Sequence, residues 1–273
     1  MGSLAGKTAL VSGACRGIGL GAAIELAREG AHVVINDLPD HPESAAAIAA
    51  CQEAARKAES GGRAEYFAAD VTDRQRVADL IQHVTQTHGG LDILVSNAAY
   101  SDRHLMIEQA WAEFDRTIQV SLMGAYNLVR TAAEAMVGRR RGGNIVVISS
   151  PHAHMPIPGA MAYNIAKAGC DQLAKTAACE LAGHNIRVNL IHPGWIDTPG
   201  ERKFFSEETL DAEGQKIPIG RLGKPADIGR GIVFLCGSES EYITGSTLTI
   251  DGGIQLPFRE MYRIQEAKSA QGK

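Results

Sequence analysis

Tyr163 and Lys167 stand four positions apart in a stretch with helical patterning, so one helix face would carry both a phenol and an ammonium. A neighbouring cation favours the phenolate. A phenol that ordinarily ionises near about pH 10 needs such help to give or take a proton at neutral pH. Ser150 follows the run Asn144–Ser149 and could reach across to hold a substrate oxygen. A Tyr-x-x-x-Lys pair alone carries little weight, and its meaning depends on what else the chain supplies.

The second chemical constellation is Gly13-Ala14-Cys15-Arg16-Gly17-Ile18-Gly19, which follows the first apolar run and opens the first helical pattern. Small residues at such a strand-to-helix turn let backbone N–H groups and a helix N-terminus approach a pyrophosphate. The spacing is GxxxGxG. Asp37 closes the run His32–Asp37, where a carboxylate can accept hydrogen bonds from ribose hydroxyls and repel a 2′-phosphate. Arg16 pulls the other way, because a guanidinium beside the turn could hold the extra phosphate of NADP. Repulsion at the ribose itself should outweigh a more distant attraction, so NAD is expected over NADP. A plain strand-end turn is the other reading of Asp37.

These groups need a scaffold. Short apolar runs at Thr8–Ser12, His32–Asp37, Ala64–Ala69, Ile93–Ser96, Ile145–Ser149, Val188–His192 and Thr247–Ile250 read as strands. Helical patterns lie between them at Ile18–Glu29, Glu43–Glu59, Arg74–Thr87, Glu108–Val137, Ala160–Ala182 and Ala226–Leu235. Apolar strands with little alternation suit a parallel sheet covered on both faces. Right-handed crossovers then give an α/β, doubly wound, Rossmann-type sheet of about seven strands. All 273 residues are expected to form one dinucleotide-binding and catalytic domain. Residues 197–218 interrupt the rhythm, as a substrate lid or an ordinary surface excursion, and 256–273 read as a polar tail.

Composition narrows the partners. A net charge of −4 provides no broad positive field for nucleic acid or acidic lipid. The cluster Arg139-Arg140-Arg141 precedes Gly142-Gly143 and reads as a solvated helix C-terminus. Five cysteines without metal spacing fit a reducing, cytoplasmic setting. No secretory signal or membrane span is visible, and Gly6 breaks the myristoylation pattern that Gly2 would begin.

Taken together, the chain from about Lys7 to Gly253 resembles the short-chain dehydrogenase/reductase family in its single-domain TGxxxGIG and YxxxK form. The resemblance rests on Ser12–Gly19, Asp70-Val71, Asn97-Ala98-Ala99, Ser149-Ser150, Tyr163–Lys167, Pro193-Gly194, Thr244-Gly245 and Asp251-Gly252-Gly253. It implies a hydride transfer between nicotinamide and an alcohol or ketone, with Tyr163 as acid/base, Lys167 assisting it and binding the nicotinamide ribose, and Ser150 polarising the substrate oxygen. It also implies that Gly13, Cys15, Arg16, Gly17, Ile18 and Gly19 cradle the cofactor and that Asp70 and Val71 flank adenine. Asn97 and Ala98 would line the cofactor's path, and Pro193, Ile196 and Thr198 would bound the carboxamide. A homotetramer or dimer is the family habit.

The chain departs from that pattern in three places. Ser121, in Val120-Ser121-Leu122-Met123-Gly124, replaces the asparagine that in the family holds a proton-relaying water, and the shorter serine would support the relay only in part. Ala99 replaces a glycine, and Ser12 replaces a threonine while keeping its hydroxyl. His152, His154 and Trp195 fall where the family places substrate. Their polar groups could hold hydroxyls of a sugar or polyol, or simply satisfy backbone groups. His152-x-His154 lacks a third ligand nearby, so no metal site is expected. Oxidation of a secondary alcohol by NAD is therefore expected. The rivals are an NADP-dependent reductase of 3-oxoacyl thioesters or other ketones, and a non-catalytic dinucleotide-binding regulator.

Overall fold

The computed structural model describes residues 2–256; the tail expected over 256–273 lies, apart from Leu256, outside them. Seven parallel strands form one sheet in the order β3-β2-β1-β4-β5-β6-β7. They are β1 (Thr8–Ser12), β2 (His32–Asp37), β3 (Arg63–Ala68), β4 (Ile93–Ser96), β5 (Gly143–Ile148), β6 (Ile186–Pro193) and β7 (Thr247–Ile250). Successive side chains in a strand point to opposite faces, so adjacent apolar residues serve separate cores. Val11 packs on one face with Ala22, Leu26, Cys51 and Ile232. Leu10 packs on the other with Leu80, Leu128, Ala132 and Ala174.

The first face is covered by α1 (Gly17–Arg28), α2 (Ser44–Lys57) and α8 (Pro225–Cys236), the second by α3 (Arg74–His88), α5 (Gly124–Arg139) and α6 (Met161–Leu181). Local chemistry fixes their ends. Asp73 caps α3 by accepting from the amides of Gln75 and Arg76, and Gly89 ends it in the left-handed region at φ 74°. Pro225 opens α8, where its missing N–H costs nothing.

The helix expected to run unbroken over Glu108–Val137 is instead α4 (Trp111–Ile118), a π-turn at Gln119–Met123, and α5. One extra residue per turn is invisible to an apolar period, and π-turns of this kind gather at functional sites. Residues 197–218 contain no strand. They form a 3₁₀ turn at Glu201–Lys203 and α7 (Glu207–Gly214), whose N-terminus Ser206 caps by accepting from the Thr209 amide. Of the arginine cluster, Arg139 ends α5 half-buried rather than free in solvent: it pairs with Asp92 at 2.5 Å.

The order in which strands are added reverses between β1 and β4, which lie side by side in parallel at the centre of the sheet: β1 to β3 build outward to one side and β4 to β7 to the other. In open parallel sheets the crevice at that switch, beyond the carboxyl ends of the strands, is where ligands bind.

Candidate active site

A cleft of about 1020 Å³ opens at this switch. Gly13, Arg16, Gly17, Ile18, Asp37, Asp70, Val71, Asn97 and Ala98 line one end, and Ser150, His152, Tyr163, Lys167, Pro193, Trp195, Ile196 and Thr198 the other.

At the glycine end the turn is held by the neighbouring strand. Asn97 donates from its amide to the carbonyls of Ser12 and Gly13 at 2.9 and 3.0 Å, while the Ser12 hydroxyl accepts from the amides of Asn97 and Ala98. The hydroxyl retained at position 12 is thus used. Gly13 has φ 61°, and a Cβ on Gly19 would stand 2.3 Å from the Gly13 carbonyl oxygen, so both positions require glycine. Among the described residues, the N-cap Arg16 makes no side-chain hydrogen bond to the start of α1, which leaves first-turn amides available to an anion. Asp37 accepts from the amides of Cys15 at 3.1 Å and Leu38 at 3.0 Å, one on each carboxylate oxygen. Each oxygen keeps a further lone pair for a hydroxyl donor. A turn shaped for pyrophosphate and a carboxylate placed for ribose fit a nicotinamide dinucleotide.

Cys15 itself is buried, and burial followed by the Asp37 carboxylate pushes its thiol up to about 12. It contributes its amide rather than a reactive sulfur. Cys15 and Gly19 shape the turn without lining the cleft.

At the other end, α6 places Tyr163 and Lys167 on one face as their spacing requires. Lys167 is only 3% exposed; its ammonium donates to the Ile148 carbonyl at 2.7 Å and stands 5.4 Å from the centre of the Tyr163 ring. Ser150, just past β5, accepts from the His152 amide and starts the short 3₁₀ turn Pro151–Ala153. The two strongest groups of the sequence therefore meet in one cleft.

The tautomer of His152 follows from its partners. Asn164 donates through its amide nitrogen to the Ile157 carbonyl at 3.1 Å, so its oxygen must face His152 Nδ1, 2.8 Å away. Nδ1 then carries the proton, and Nε2 is left as an acceptor. Burial, the larger influence, holds the imidazole below its ordinary value of 6.5 and so keeps it neutral. Its ring meets that of Tyr163 edge to face at 5.3 Å.

His154 and Ser121 stand outside the cleft lining. His154 stacks on His192 at 5.4 Å and donates to Gln255, which does line it. The Ser121 hydroxyl donates to the Tyr100 carbonyl at 2.7 Å and accepts from the Tyr100 amide at 2.9 Å, tying the π-turn to the segment after β4. Its hydroxyl is therefore committed to backbone. Trp195 donates its indole N–H to Glu201 at 3.0 Å, fastening the cleft to the segment that follows it.

A buried network escapes notice in the sequence. His192 donates to both oxygens of Asp171 at 3.0 and 3.1 Å, and Ser149 donates to Asp171 at 2.5 Å while lying 3.2 Å from the Lys167 carbonyl. Burial pushes the Asp171 carboxyl up, but the bonds from His192 and Ser149 outweigh it and hold it below its ordinary range. Asp171 sits one turn beyond Lys167, which was the available signal. Nothing in the spacing pointed to His192.

The family model described as enoyl-(acyl carrier protein) reductase matches residues 13–255. The 3-oxoacyl-[acyl-carrier-protein] reductase of Thermotoga maritima is 35% identical over 93% of this chain and 99% of its own. The L-rhamnose 1-dehydrogenase (NAD(P)(+)) of a Sphingomonas species is 36% identical, over 93% of this chain and 98% of its own. Among solved structures, a short-chain type dehydrogenase/reductase from Mycobacterium marinum superposes with a TM-score of 0.81 at 33% identity, over 93% of this chain and 97% of that one.

Proposed function

Because the chain belongs to the short-chain dehydrogenase/reductase family, we propose that it oxidises a secondary alcohol bearing further hydroxyls, a sugar or polyol, with NAD as hydride acceptor and Tyr163 as base. The observation that carries this reading is one cleft holding Tyr163, Lys167 and Ser150 at one end and the glycine turn with Asp37 at the other. Bound NAD supplies the ring that takes the hydride from carbon. The chain's own residues do the rest.

Ser150 holds the substrate hydroxyl, and Tyr163 removes its proton as the carbon–hydrogen bond breaks, leaving a carbonyl. Lys167, fixed by Ile148, supplies the positive charge that favours the phenolate during that transfer. Asp37 receives the ribose hydroxyls and disfavours a 2′-phosphate. His152 offers Nε2 as an acceptor, which suits a second substrate hydroxyl better than an acyl chain. Thr198, Lys203 and Phe205 line the cleft from the 197–218 segment, which closes over the substrate end in this proposal.

Arg16, which also lines the cleft, favours the second reading, an NADP-dependent ketone reductase. Initial rates with NAD and NADP across sugars, polyols, 3-hydroxyacyl compounds and steroids separate the two. NAD-linked oxidation of polyhydroxylated substrates is expected; a clear preference for NADP would overturn the cofactor assignment.

A further inference from the structure

At the opposite end of the sheet from the cleft, three segments bring imidazoles and a carboxylate together. His32 begins β2, Glu65 lies on β3, and His83 and His88 occupy the last turns of α3. His32 pairs with Arg63 in the parallel register, so Glu65, two places on, shares its face of the sheet, the face on which α3 packs. Nε2 of His88 and Nε2 of His83 lie 2.8 and 3.0 Å from the same oxygen of Glu65. The ligating atoms of His32, Glu65 and His88 all fall within 4.8 Å of one another. The His32 ring stands 4.0 Å from that of His88, and its Nε2 is buried with no hydrogen-bond partner among the described residues. A buried polar atom without a partner is costly and uncommon.

We propose that His32, Glu65 and His88 bind a divalent first-row transition metal of the Zn²⁺ class, with His83 or a water in the fourth position. Two imidazoles and a carboxylate are a zinc donor set, whereas Mg²⁺ and Ca²⁺ take oxygen ligands. Donors on one tetrahedral zinc stand about 3.3 Å apart, so closure asks for side-chain shifts of about an ångström. The ion gives the orphaned His32 nitrogen a partner. It enters past His88, which opens onto a surface cavity of about 420 Å³ where Lys7 and Arg141 are the cations it must pass, Arg139 being paired with Asp92. From the sequence no metal site is expected; these ligands come from three separate segments, and only the packing of α3 on β2 and β3 brings them together. The bound metal clips β2, β3 and α3 together and touches none of the residues assigned to the reaction.

The test is calorimetric titration of the full, untagged, chelator-stripped chain with ZnCl₂, alongside thermal unfolding with and without the metal. Expected are one site with micromolar or tighter affinity, a raised Tm, and no heat with MgCl₂. Glu65→Gln and His88→Ala should each weaken binding at least tenfold, while His184→Ala, at an exposed position, should leave it unchanged. Should His88→Ala fail to fold, the near-isosteric Glu65→Gln decides alone. Absence of zinc binding, equal binding of magnesium, or affinity undiminished in Glu65→Gln would overturn the proposal.

Discussion

The ammonium of Lys167 is buried and bound at 2.7 Å to the carbonyl oxygen of Ile148, on the strand that leads to Ser150. The cation is thus fixed to the same strand that leads to the Ser150 hydroxyl proposed to hold the substrate, 5.4 Å from the Tyr163 ring. Lys167→Met removes the charge but keeps much of the packing. It should lower kcat at pH 7 by at least about a hundredfold. Steady-state kinetics at that pH checks this.

Asp37, proposed to receive the ribose hydroxyls, lines the cleft with two backbone donors already attached. Asp37→Ser removes the repulsion toward a 2′-phosphate. The ratio of kcat/KM for NAD over NADP should fall by at least about tenfold, equivalent to ~1.4 kcal/mol. Tm should also drop, because the amides of Cys15 and Leu38 lose a charged acceptor. Steady-state kinetics with both cofactors measures the first effect and thermal unfolding the second.

His152 acts as an acceptor only while neutral. His152→Phe keeps a ring beside Tyr163 but removes that acceptor, so KM for a polyhydroxylated substrate should rise about tenfold with kcat little changed, the loss of about one hydrogen bond. The pH dependence has a definite sign. The folded imidazole sits below 6.5, so the unfolded chain takes up the proton first. Its contribution to stability is therefore complete above about pH 6.5 and is lost as pH falls through the window below it. KM should rise in the same direction once the folded imidazole protonates.

Ser121→Ala leaves the amide and carbonyl of Tyr100 without their hydroxyl partner. A loss of about 1–3 kcal/mol is expected for the groups left unsatisfied, read from urea unfolding. An unchanged midpoint would show that the tie between the π-turn and the segment after β4 contributes little.

The sheet was legible because its strands are short, apolar and separated by helical patterns, as Leu10 and Val11 illustrate by serving opposite cores. Tyr163, Lys167 and the glycine turn could be paired on sequence because each depends on local spacing within one helix or turn. His154 lies only four residues from Ser150, yet its ring turns onto His192, a contact set by β6 rather than by neighbouring sequence. The π-turn that divides the long helix was not legible, because one residue more in a single turn leaves the apolar period almost unaltered. His192 with Asp171, and His32 with Glu65 and His88, were hidden for the same physical reason: tertiary packing alone makes them neighbours.

The most direct test is Tyr163→Phe, which deletes one hydroxyl and preserves the ring, measured as kcat/KM for NAD-linked oxidation of whichever alcohol the wild-type chain accepts best. A loss of at least about a hundredfold with cofactor binding retained is expected for removal of a positioned acid/base group. A rate equal to wild type would contradict Tyr163 as the proton-transferring group.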